Sequence, residues 1–344
     1  MFENLQKKIK LLKPVVVMHD FFIDRIVRLN NLDSLIDAVN SKVKLGGGSI
    51  RGIEQEEVKG GNAVNTAYAL AKLGARTLLI TAADDLGSGI LKNRFGPFKN
   101  ARLMIKHGRQ GYTVSFEVGQ DGRKANVMIN DVGDAGNFGA EKLGEQELNL
   151  IKNASAVIVA NWASNLKGTE LTFKAFQKAG KNTLCFLDPA DISTRKEDFK
   201  KCLLELRGNL DVLSLNENEC RLTMQSLSLE ALPINYASKD IAEAAKKLAS
   251  ELSLNVDVHT PLGCSTSDGK ESTYIKSFEI GVNTSTGAGD AWDAADALGY
   301  LCGLNENDRL LLANVCAALF VSNKDVEPPT LKESLDFISK FENY

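Results

Sequence analysis

The chain has 344 residues, with 41 Lys and Arg against 44 Asp and Glu, a formal net charge of −3. That balance excludes the basic footprint of a nucleic-acid binder and the polybasic patch of a membrane-surface protein, and no apolar run approaches the ~18 residues of a membrane span. The six cysteines (185, 202, 220, 264, 302 and 316) form no C-x-x-C pair, which argues against zinc and redox motifs and for small hydrophobes in a reducing compartment. The N-terminal MFENLQKKIKLLK is basic without an apolar signal core, so the expectation is a soluble, cytoplasmic protein with no nucleic-acid or membrane partner.

Along the chain, VVVM (15–18) is short and β-branched and reads as a buried strand that ends in the polar residues of HDFFIDRIV. LGGGSIRG (45–52) is a loop by composition. AVNTAYALAKL (63–73) carries a helical pattern closed by Gly74, and RTLLITA follows as a strand. Further strands are expected at 154–160, 182–188, 210–215 and 254–260, with helices near 168–179, 196–207 and 238–252. Strands alternating with helices at this spacing predict a parallel sheet covered on both faces. YTVSFEVGQDGRKANVMIN (112–130) breaks the alternation: apolar and polar residues alternate on both sides of Asp-Gly, a hairpin signal. A half-polar hairpin does not belong in a doubly wound core, so it reads as a flap, paired with SIRGIEQEEV (49–58). From residue 287 onward the pattern is mostly helical.

Three stretches bear on chemistry. In NTSTGAGDAWDAA (283–295), Gly287, Ala288 and Gly289 precede Asp290 and an apolar helical run. Glycines at a helix start leave room for a ligand, and the unpaired N–H groups with the helix dipole favour an anion there. Asp290 is then either a helix cap or a base that takes a proton from a nucleophile while the amides hold a phosphoryl group. In EVKGGNAVNTA, Gly60 and Gly61 precede a helix whose first turn holds Asn65, a group able to donate to and accept from a hydroxylated ligand; a plain tight turn is the alternative. In LSLNENECRLTM, Asn216 and Glu219 are three apart at the carboxyl edge of a strand, either as an exposed helix start or as a pair suited to water-mediated Mg²⁺ binding.

KGGNAVNTA, NENE and TGAGD stand in the order and approximate spacing of the ribokinase (PfkB) family of carbohydrate and nucleoside kinases, which the chain resembles over nearly its whole length. The resemblance implies an α/β fold, a doubly wound, mostly parallel sheet with helices on both faces. It implies one domain over 1–344, with a small β lid formed by segments about 45–60 and 110–131. It implies Asp290 as general base, with the amides around Ala288, Gly289 and Asp290 as the anion hole. Asp24, Gly60, Gly61, Asn65 and Asn161 would bind the acceptor. Asn216, Thr260, Gly263, Ser265, Gly289 and Asn314 would bind the nucleotide, and Glu219 with Asn216 would organise Mg²⁺ through water. The implied cofactors are Mg²⁺ and ATP, with ADP and a monovalent cation left open. The implied partners are a sugar, sugar phosphate or nucleoside, and a second copy of the chain through the lid.

The chain departs from the family pattern in places. TPLGCS (260–265) has one glycine, with Ser265 where a second might stand. TAADDLGSG is about one residue short before its Asp-Asp, and His19 replaces a glycine at the end of the first strand. Asp296 occupies an apolar position and requires a partner if buried. A metal site on Asp290, Asp293 and Asp296 would have to span about 9 Å along the helix. A dinucleotide oxidoreductase is disfavoured because HDFFIDRIV contains no glycine. A non-catalytic binding protein would need neither Asp290 nor both Gly-rich sites.

Overall fold

The structure, a computed structural model, describes residues 2, 4–120, 123–283 and 286–341. Its strands, in chain order, are β1 (Val15–His19), β2 (Phe22–Leu29), β3 (Gln55–Gly60), β4 (Thr77–Ala83), β5 (Ala101–His107), β6 (Gly111–Gln120), β7 (Arg123–Asp131), β8 (Ala156–Ala160), β9 (Leu184–Asp188), β10 (Val212–Asn216), β11 (Asn255–Thr260), β12 (Gly263–Ser267) and β13 (Ser272–Lys276). Nine of them form one sheet in the order β13-β12-β11-β10-β9-β8-β1-β4-β5. The pairs from β11 to β5 are parallel, while β12 and β13 extend the β11 edge antiparallel.

Alternation along the central strands explains why both faces are covered. Val15 and Val17 of β1 enter one apolar cluster, Val16 and Met18 the other. The helices Asn62–Lys72, Ala288–Leu301 and Glu306–Ser322 supply residues to the first cluster, and Gly168–Lys178 and Ser238–Leu252 to the second. The chain leaves β1 towards β4 and β5, then returns to add β8 on the other side. The boundary between β1 and β8 is therefore a topological switch point, where the connections leaving the carboxyl ends diverge and open a crevice.

The remaining four strands form a small sheet in the order β3-β2-β6-β7. HDFFIDRIV is not only the tail of β1: from Phe22 the chain forms a strand of this second sheet, and it is β2, not β3, that pairs with the expected hairpin. Period two assigns its faces. Val27, Leu29 and Val118 pack with Leu32 and Leu35 of the helix Leu32–Lys44 on one side. Asp24, Ile26 and Ser115 lie on the other, towards the main domain.

Asp296 has the partner that its burial requires. It and Asp257 share the guanidinium of Arg309, which is 3% exposed and lies 3.2 Å from Asp257. Arg309 also donates to the Thr266 hydroxyl at 2.7 Å, and the Tyr300 ring stacks 3.7 Å from its centre. This network ties β11 and β12 to the helices Ala288–Leu301 and Glu306–Ser322. Replacing Arg309 by Met leaves two buried carboxylates without a counter-charge, and a loss of about 3–5 kcal/mol in denaturant unfolding is expected. A loss below about 1 kcal/mol would show that the network contributes little to the fold.

Candidate active site

At the switch point the connection after β1 places Asp20, fully buried, against the start of the helix Asn62–Lys72. Its two oxygens accept from the backbone N–H of Asn62 at 3.0 Å and of Ala63 at 2.8 Å. Asn161, at the end of β8, adds a third donor at 2.8 Å and caps the following turn by accepting from Ser164 N–H. Asn161 is thus brought to the crevice, but its amide is spent on Asp20. Gly61 is the N-cap of the same helix, so the Gly-Gly signal marks a helix start.

One turn into that helix, Asn65 Nδ2 donates to Asp290 Oδ2 at 2.9 Å. Asp290 is not a cap. The helix Ala288–Leu301 has Gly287 as its N-cap, in the left-handed region at φ 90°, and Asp290 stands in the first turn. A side chain at Gly287 would bring its Cβ to 2.9 Å from the Phe320 ring. The N–H groups of Ala288, Gly289 and Asp290 have no partner within the helix and point out of its start. Asp290 is 5% exposed and its Oδ1 is buried without a hydrogen bond. Burial, followed by repulsion from Asp188, raises its pKa well above the usual carboxylate range.

Asp290 belongs to a set of buried acids. Asp188, at the end of β9, accepts from Ala190 N–H at 2.9 Å, and burial pushes its pKa up to about 6. Asp293 accepts from the Ser214 hydroxyl, and burial and Asp188 raise its pKa well above normal. Asn216 and Glu219 form a reciprocal capping box: Asn216 N–H donates to Glu219 at 2.9 Å and Glu219 N–H to Asn216 Oδ1 at 3.0 Å. The pair is a capped helix start, but not an exposed one: Glu219 is 6% exposed, and both residues line the larger cavity. Burial and then Asp188 raise the Glu219 pKa strongly. Among the described residues none of Asp188, Glu219, Asp290 and Asp293 has a Lys or Arg partner, in contrast to Asp296.

Asp290 lines the larger of two cavities, and its partner Asn65 lines the smaller. The larger, about 550 Å³, is lined at one end by Asp188, Asn216, Glu219, Gly289 and Asp290 and at the other by apolar residues such as Phe278, Ile280 and Val321. Thr260 reaches it, although its hydroxyl closes the β11–β12 turn by donating to Gly263 O at 2.9 Å. Asn314 reaches it too, with its amide engaged by Trp292 Nε1 at 3.1 Å and by the carbonyls of Ile275 and Lys276. Gly263 and Ser265 do not line it. Both lie in β12, and Ser265 donates to Thr273 O at 2.8 Å. His259, which the sequence reading passed over, lines this cavity beside Trp292, and burial lowers its pKa to about 4.

The smaller cavity, about 50 Å³, lies between the two sheets and holds Asp24 and Asn65. Asp24 Oδ1 is buried without a partner. Burial pushes its pKa up to about 6 against the pull of a hydrogen bond with Thr113. Gly60 is required beside it, because a Cβ there would lie 2.1 Å from Asp24 Oδ2. Asn65 therefore lines the smaller cavity while holding an acid of the larger one. Asp20 and Asp188 were also missed, although each is an acid at the carboxyl end of a buried strand run, a signal the sequence does carry.

Comparison with known proteins gives the fold and the family. A curated relative, the 5-dehydro-2-deoxygluconokinase of Clostridium botulinum (strain Alaska E43 / Type E3), is 25% identical over 302 residues, covering 82% of this chain and 84% of that protein. The Arabidopsis thaliana ribokinase complexed with ribose and ATP superposes with a TM-score of 0.72 at 19% identity, over 95% of this chain and 99% of that one. A putative ribokinase II from E. coli, in complex with ATP and Mg²⁺, gives 0.70 at 17% identity, over 96% of this chain and all (100%) of the other. These two likenesses establish the fold. Residues 31–333 match the pfkB family carbohydrate kinase pattern, and a match over most of the chain makes this chain a member of the pfkB family of carbohydrate kinases, a phosphotransferase.

Proposed function

We propose that the protein transfers the γ-phosphoryl group of ATP to a hydroxyl of a sugar, with Mg²⁺ and with Asp290 as general base. The observation that carries the reading is the unpartnered Asp290 Oδ1 at the larger cavity, with Oδ2 fixed by Asn65, which lines the smaller one. The acceptor hydroxyl, held by Asp24 and Asn65 in the smaller cavity, gives its proton to Asp290 as its oxygen bonds to the γ-phosphorus. The bond to the β-phosphate oxygen breaks, and ADP leaves. The amides of Ala288, Gly289 and Asp290 meet the phosphoryl charge. Positioning and charge stabilisation account for most of such a reaction. ATP is favoured over ADP as donor by the ATP-bound relatives of the same fold.

The acid set fits Mg²⁺. Asp188 and Glu219 are desolvated carboxylates without a counter-charge, so a cation there would relieve their repulsion. Among the described residues no three His, Cys, Asp or Glu converge closely enough to enclose an ion. That suits Mg²⁺, which keeps several waters and shares its shell with substrate phosphates. When bound, it would neutralise the charge developing on the phosphates. Asp188, Glu219 and Asn216 would orient its waters.

Asp290→Asn preserves the acceptor for Asn65 and removes basicity. A drop in kcat of at least about 10²-fold is expected, with ATP affinity little changed. Unfolding cannot account for such a loss, because the substitution removes a buried charge. A rate within a few-fold of the parent would exclude Asp290 as the base.

Asp188→Asn tests the charge balance without substrate. The folded-state pKa of Asp188 is raised to about 6, so its contribution to stability is full below the usual carboxylate range and is lost as pH rises through about 6. The variant lacks that loss. In metal-free buffer it should be more stable than the parent by about 1–3 kcal/mol at pH 7.5, with the gain shrinking as pH falls towards 4.5. A variant less stable than the parent across this range would mean that Asp188 is held by favourable contacts and needs no cation.

A further inference from the structure

The smaller cavity is unbalanced in charge. Among the described residues it is lined by three carboxylates, Asp24, Glu117 and Asp325, and one guanidinium, Arg94. Arg94 is already committed, since its Nη1 donates to Glu327 at 3.1 Å, a carboxylate that also holds Lys72 at 3.1 Å. The next cation, Arg28, lies on the same face of β2 as Asp24 and is divided among Glu56, Glu117 and Glu54 at 2.8, 3.5 and 3.6 Å. Arg28 thus meets Glu117 while shared with two other carboxylates, and Asp24 and Asp325 have no ion pair among the described residues. At the floor, Asp24 Oδ1 is buried and unpartnered, a site for a hydroxyl donor.

Resting on the reading that this cavity takes the acceptor, we infer that Glu117 and Asp325, together with Asp24, are specificity residues that admit a neutral polyhydroxylated acceptor and reject one carrying a phosphate or a carboxylate. Hydroxyl groups donate to carboxylates, and a neutral sugar satisfies them without bringing charge. An anionic acceptor would enter against like charges and, among the described residues, find only Arg94, already bonded to Glu327, to pair with, which is discrimination by repulsion rather than by added contacts. Asp24 serves the grip. Glu117 and Asp325, nearer to solvent, set the field at the entrance.

The test compares acceptors that share a carbon skeleton: D-ribose with its 5-phosphate, D-fructose with its 1- and 6-phosphates, and D-glucose with D-gluconate. Each is assayed with ATP and Mg²⁺ in the parent and in Glu117→Gln/Asp325→Asn. In the parent, kcat/KM for neutral members should exceed that for anionic ones by at least about 100-fold. In the double variant the ratio should narrow by about tenfold or more. Raising NaCl to about 0.5 M should narrow the parent's ratio too, because partly exposed carboxylates are screened, an effect that a purely structural role would not produce. Asp325→Asn alone carries the same test if the pair disturbs the small sheet, as judged by its melting temperature. Anionic members used as well as neutral ones, or a ratio unmoved in a folded variant, would overturn the inference and leave the kinase reading standing. Phosphorylation of no member of either class would overturn both.

Discussion

The hydrogen bond from Asn65 to Asp290 is the contact on which the rest of the site depends. It joins the starts of two helices, Asn62–Lys72 and Ala288–Leu301, which come from distant parts of the chain and meet over the carboxyl edge of the sheet. An amide is suited to this place. It fixes one carboxylate oxygen by a hydrogen bond yet carries no charge, so it leaves the acid basic. A guanidinium would hold the same oxygen more tightly and pull the pKa down, and the second oxygen would lose its capacity to take a proton.

The buried acids divide by how the fold answers their charge. Asp20 receives two backbone N–H groups and the Asn161 amide. Asp257 and Asp296 receive Arg309. These three are architecture: Asp20 fastens the helix Asn62–Lys72 at the switch point, and Asp257 and Asp296 tie β11 and β12 to the helices beside them. Asp188, Glu219, Asp290 and Asp293 receive hydrogen bonds but, among the described residues, no cation, and burial and mutual repulsion raise their pKa values. Carboxylates left in that state lower the stability of the unliganded protein, a cost that is maintained only where function needs it. Asp296 and Asp290, six residues apart on one helix, are both buried and differ in that only Asp296 meets a guanidinium, which suits the structural role of the one and the chemistry proposed for the other.

Much of this was legible in the sequence. The parallel strands follow from short β-branched runs, and TGAGD and GGN stand at helix starts, although Gly-Gly alone fitted a plain tight turn as well. The strand β2 was hidden because no glycine or proline separates it from β1. The chain passes from one sheet to the other at Asp20, and His19 and Asp20 alone, with no turn residue, mark the change between two apolar runs. The edge strands β12 and β13 were hidden for another reason: GCSTS is polar by type, and its burial comes from the Arg309 network and from helix packing, not from apolar side chains. Ser265 was read as loop for that reason. Asn161 and Asn314 were found at the right depth of the fold, but no local pattern reveals that Asp20, Trp292 and two backbone carbonyls occupy their amides. Long-range partners decide what a polar side chain has left to offer, and they are not written locally.

The central claim is that the open oxygen of Asp290 is the proton acceptor in phosphoryl transfer. The most direct measurement is kcat/KM against pH, from about 5 to 9, for the parent and for the residual activity of Asp290→Asn. The parent should lose rate as pH falls, through an apparent pKa above the usual aspartate range, because burial and Asp188 hold that carboxyl protonated longer. The variant should show no such acid limb. An acid limb that persists unchanged in the variant would assign the titrating base to another residue and contradict the account.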